Sequence, residues 1–131
     1  MKNKIDELPD TTGEFSIDLI GSVTKKRFLG EFVCKLPTIK DQAKIAVYES
    51  SLNGEFPMNL NSGVLNIHKK IAYLRFTLID IPKFWRDSDL GYDLRDPNII
   101  DAVYTEVLSF EDRWVKDVWG EEVVDGQKEE N

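Results

Sequence analysis

The chain has 131 residues, 41% of them hydrophobic and 31% charged, which suits one globular core and is too apolar for a wholly disordered chain. Its 17 basic residues against 24 acidic ones give a net charge of −7, the reverse of the balance that phosphate contacts need, and this argues against nucleic acid as the main partner. One cysteine and one histidine rule out an internal disulfide and a zinc site built from several thiols or imidazoles.

Residues 1–12 carry Lys2, Lys4, Asp6, Glu7 and Asp10 around only three apolar residues; they lack the apolar stretch of a secretion signal and are expected to form a flexible leader. Over residues 14–23, Phe15, Ile17 and Leu19 alternate with Ser16 and Asp18, the period of a half-buried strand. Thr24, Lys25 and Lys26 then make a turn into a second alternating run, with Phe28, Phe32, Cys34 and Leu36 on one face and Glu31 and Lys35 on the other. The two runs read as a β-hairpin. A lone hairpin is marginal in water, so its Phe/Ile/Leu face needs cover from helices or from another subunit.

Pro37 ends the second strand, and Thr38 is placed to cap a helix over residues 39–52 with Ile39, Ala43, Ala46, Val47 and Leu52 turned inward. Asn53 and Gly54 stop it. The following connection holds Phe56, Met58 and Leu60 and is expected to be pinned to the core by them. Asn61 or Ser62 caps a second helix over residues 63–80, where Val64, Ile67, Ile71, Leu74 and Leu78 recur at helical spacing and Leu65, Ala72, Phe76 and Ile79 supply another apolar face.

Pro82 closes that helix, and residues 81–97 form an ordered loop, since Phe84, Trp85, Leu90 and Tyr92 are costly to leave wet. Asp96 followed by Pro97 marks the start of a third helix, running over residues 98–119 with a stripe of Ile100, Val103, Val107, Phe110, Trp114 and Val118. Ile99, Tyr104, Leu108, Val115 and Trp119 widen the stripe. Residues 121–131 carry five acids and one lysine and are expected to be a disordered acidic tail. The leader holds one net negative charge and the tail four, which leaves −2 of the chain's −7 on a single domain at residues 13–120.

The chemistry available to an enzyme is sparse. Asp87, Asp89 and Asp93 around Gly91 resemble a calcium loop only in composition, because the sixth position is Tyr92 and the twelfth Asn98. His68 stands beside Lys69 and Lys70 with no orienting acid legible in sequence, and Cys34 has no flanking nucleophile motif. Phosphate-loop and dinucleotide fingerprints do not occur in the sequence, so no cofactor and no catalytic residue is expected. Lys25, Lys26 and Arg27 and the pair Lys69 and Lys70 are explained as charged turn and helix faces. No uninterrupted apolar run is long enough for a membrane span, and the buried setting expected for Cys34 fits a reducing compartment.

The hairpin with Gly30, Glu31 and Phe32 after its turn, the corner Ile81, Pro82, Lys83, Phe84 and Trp85, and the helix start Asp96, Pro97 and Asn98 together resemble small morphogenesis proteins of tailed bacteriophages, of the tail assembly chaperone type. The likeness spans residues 13–115. It implies a non-enzymatic protein, acting in the host cytoplasm, that binds other tail proteins such as a tape-measure or tube protein. A structural part of the virion, from the neck, the tail-completion set or the baseplate, is the alternative. The expected fold is α+β, an N-terminal β-hairpin followed by three helices, with more apolar surface than so small a body hides, so self-association is a further expectation. Phe28, Phe32, Phe84, Trp85, Trp114 and Trp119 are the expected partner-binding residues, chosen for large apolar area near edges and ends.

Overall fold

A computed structural model describes the backbone of residues 10–130 and the side chains of residues 10–119. The leader expected at residues 1–12 lies largely outside the described residues. Strands β1 (Thr12–Ile20) and β2 (Arg27–Lys35) form the hairpin, followed by α1 (Ile39–Asn53), a 3-10 turn at Pro57–Asn59, α2 (Ser62–Thr77), β3 (Leu78–Asp80), the short α3 (Lys83–Asp87) and α4 (Pro97–Glu130). The fold is α+β, as the patterning implied, with the short helix α3 inside the segment expected as a loop and one strand more than expected: β3 pairs antiparallel with β2 and places it at the centre of a three-stranded sheet. No helix among the described residues is long and apolar enough to cross a membrane.

The hairpin register puts Phe15 opposite Phe32, Ile17 opposite Gly30 and Leu19 opposite Phe28, so one face of the sheet is apolar along its whole length. Phe15 and Phe32 stack with their ring centroids 5.0 Å apart. Helices α2 and α4 cover that face, and Ile17, Phe32, Cys34, Ile71, Leu74, Trp85, Ile99, Val103 and Val107 form the core between them. Helix α3 brings Trp85 against Phe32 at 5.8 Å, edge to face. Gly91, at φ 91°, lies so close to this indole that a Cβ there would sit 2.7 Å from it, which is why the loop needs glycine.

The α4 start doubles as a clamp on the hairpin turn. Asp96 is buried, and its Oδ1 accepts from the backbone N–H groups of Val23 and Thr24 while its Oδ2 accepts the Thr24 hydroxyl, all at 2.7 Å. Asn98 accepts from the Ser22 N–H at 2.8 Å and donates to the Ile20 carbonyl at 2.9 Å. Burial pushes the Asp96 carboxyl up, yet the donors from Thr24 and Val23, with Lys26 nearby, hold it below the ordinary carboxylate range.

Helix α2 ends at Thr77, three residues before the expected stop, because Pro82 disfavours helical backbone before it and the free edge of β2 accepts residues 78–80 as a strand. Asn61 is its cap, accepting from the Val64 N–H at 2.8 Å. The 3-10 segment is less anchored than its composition suggested: Leu60 is half-buried, but Phe56 and Met58 are exposed. Helix α4 is continuous to Glu130, past the end expected near Trp119, so the backbone of the acidic segment continues the helix where a disordered tail was expected.

Candidate functional site

His68, Tyr73, Glu111 and Asp87 are each held in contacts with neighbouring side chains, and Cys34 lies in the core. His68 is buried, with Nδ1 2.8 Å from Asn53 Oδ1 and Nε2 2.9 Å from the Tyr92 hydroxyl. In the neutral tautomer it donates to Asn53 and accepts from Tyr92, which ties the end of α1 to the loop before α4. Cys34 is fully buried, and burial, reinforced by Glu111, pushes its thiol up to about 11, the opposite of what a nucleophile needs. The Tyr73 hydroxyl donates to Glu111 Oε2; burial first, then that carboxylate, raises the phenol, while burial also raises Glu111. Asp87 pairs with Lys83 at 3.6 Å, and among the described residues no group of three His, Cys, Asp or Glu side chains is placed to hold a metal ion.

Four of the six expected contact residues belong to the interior. Phe32 and Trp85 are buried, and Phe28 and Phe84 are half-buried on the same aromatic cluster, Phe28 meeting Phe84 edge-on at 5.2 Å. Helices α2, α3 and α4 bring cover to the hairpin face, so these rings are core where a partner surface was expected. Trp114 is half-buried and lines a hollow with Asp10 and Phe110. Trp119 is exposed at 53%.

An apolar surface that was not foreseen follows from how α1 is rotated. Thr38 and Asp41 form a reciprocal capping box: the Asp41 N–H donates to Thr38 Oγ1 at 3.0 Å and the Thr38 N–H to Asp41 Oδ2 at 2.9 Å. Lys35, on β2, reaches the same Asp41 oxygen at 3.0 Å. The Thr38 N–H and the Lys35 ammonium hold the Asp41 carboxyl at about 2. These contacts turn Asp41 toward the sheet, and Ile45, Tyr48 and Leu52 follow it inward at helical spacing. Ile39, Ala43, Ala46 and Val47, expected inside, therefore face out, with Ile39 89% and Val47 71% exposed.

Beside that outward face lies a groove of about 540 Å³ between α1 and the end of α2. Ala43, Val47, Tyr48 and Phe76 form its apolar wall, and Lys40 and Lys44 stand on its α1 side. Its rings are fixed: Tyr48 meets Phe76 edge-on at 6.1 Å, and the Arg75 guanidinium lies over the Tyr48 ring at 4.6 Å. A wall already ordered lowers the entropy lost when something docks. The arrangement can take an apolar helix or strand with acidic flanks. The T-x-x-D spacing of Thr38 and Asp41 was the sequence signal that selects the Ile45, Tyr48 and Leu52 face over the competing one. No protein-family model, curated protein or solved structure matches the chain.

Proposed function

We propose that this chain is a non-enzymatic protein-binding domain of the tail assembly chaperone type, which holds an apolar segment of a bacteriophage tail protein, tape-measure or tube, during assembly in the host cytoplasm. The observation that carries the reading is the α1–α2 groove, where Val47 is 71% exposed beside a fixed Tyr48 and Phe76 pair. Exposed apolar residues clustered on an open, pre-ordered wall with a charged rim are the pattern of a protein-docking face rather than of scattered surface hydrophobes. The Lys40 and Lys44 rim favours a segment with acidic flanks. The resemblance of the hairpin, the residue 81–85 corner and the Asp96–Pro97–Asn98 helix start supports the phage setting.

Co-expression with a tape-measure protein and, separately, with a tail-tube protein tests it. The proposal expects one of them to become soluble and to co-elute with the chain in light scattering, and the chain to be missing from purified virions by mass spectrometry. Recovery of the chain as a stoichiometric virion component, with neither protein held in solution, overturns it in favour of a structural part.

A further inference from the structure

Helix α4 carries a second uncovered apolar surface. Leu108, Val115 and Trp119, 40%, 45% and 53% exposed, recur at seven and four residues and so share one side of the helix. Phe110 rests on Gly13 near the start of β1, and the helix carries Trp119 about 13 Å farther along its axis, beyond that contact. The sequence around and after this stripe is acidic: Asp117, Glu121, Glu122 and Asp125 stand against Arg113 and Lys116. The groove of the same molecule is apolar with lysines 40 and 44 on its rim. An apolar stripe that runs into an acidic stretch of sequence and an apolar groove rimmed by lysines are complementary, and the described residues leave both open.

We infer that the exposed stripe of α4 around Val115 and Trp119 docks into the α1–α2 groove of a second copy of this chain. The contact is head-to-tail, because the two surfaces differ, and an open assembly keeps one free groove at one end and one free stripe at the other unless a ring closes. The inference rests on reading the groove as a protein-docking face. It adds that a copy of the chain is itself an occupant, so a tail protein entering the groove competes with self-association.

Light scattering and sedimentation of the full chain test this with two variants at exposed positions, Val47→Glu in the groove and Trp119→Ser on the stripe, each checked for an unchanged circular dichroism spectrum. The wild type should show masses above one chain that rise with concentration and fall with salt. Each variant alone should be monomeric or associate at least about tenfold more weakly, the loss typical of removing one interface anchor. Mixed in equal amounts, the two variants should form a dimer and stop there, since Val47→Glu still offers an intact stripe and Trp119→Ser an intact groove. A mixture no more associated than the variants alone, or a wild type that is monomeric throughout, overturns the inference. A monomeric wild type that still captures a tail protein in the groove overturns this inference alone; a wild type that does neither overturns the proposed function with it.

Discussion

Replacing Ile45 and Val47 by alanine in turn tests the rotation of α1, on which the groove depends. The residues are two positions apart and chemically alike, yet Ile45 is 9% exposed and Val47 71%. Truncating Ile45 removes three carbons from the interior; at about 0.8 kcal/mol each, with a further cost for incomplete collapse, the loss is about 2–4 kcal/mol. Truncating Val47 removes two carbons that are mostly in water already, so the loss is about 0.5 kcal/mol or less, and alanine's better helix propensity offsets part of it. For a chain of this length the first change lowers Tm by about 10 °C and the second by about 2 °C or less. Reversible thermal and urea unfolding followed by circular dichroism gives both numbers. A Val47→Ala loss equal to or larger than that of Ile45→Ala would mean that α1 is turned the other way and that no groove stands open beside it.

Other consequences are as direct. Gly91→Ala places a methyl group on the Trp85 indole at a backbone conformation that suits glycine, and should cost about 2 kcal/mol or more in urea unfolding and alter the near-ultraviolet tryptophan signal. Asp41, at about 2, and Asp96 both have lower carboxyl values folded than unfolded, so their stabilising contribution is complete above the ordinary value of 3.8 and is lost as pH falls through the folded values. Melts should therefore hold steady down to about pH 5 and decline toward about pH 2, and Asp41→Asn should flatten part of that acid decline. Cys34, fully buried with a thiol at about 11, should react with a thiol reagent only at the rate of unfolding; rapid modification of the native chain would contradict its place in the core.

The β-hairpin and the three long helices were legible because their apolar residues recur at the strand and helix periods and their caps are explicit: Thr38, Asn61, and Asp96 before Pro97. The third strand was hidden because Leu78, Ile79 and Asp80 extend the helical pattern of α2; only the free edge of β2, a tertiary fact, draws them into the sheet. The face of α1 was misread because two apolar stripes compete in it, and a salt bridge from Lys35 on β2, together with the Thr38–Asp41 box, decides between them. Phe28, Phe32, Phe84 and Trp85, expected at a partner surface, went inside for a similar reason. Sequence counted the rings but not the cover that Trp85, α2 and α4 supply to the hairpin. Asp96 read as a helix cap, while its clamp on Val23 and Thr24 joins residues more than seventy positions apart and has no local signature.

The most direct test of the docking groove is methyl NMR of the full chain labelled at alanine and valine, with and without a captured tape-measure or tube protein. The account predicts that the signals of Ala43 and Val47 shift or broaden on binding while those of the buried Ala72 and Val103 hold their positions. Unchanged Ala43 and Val47 signals in a formed complex would contradict it.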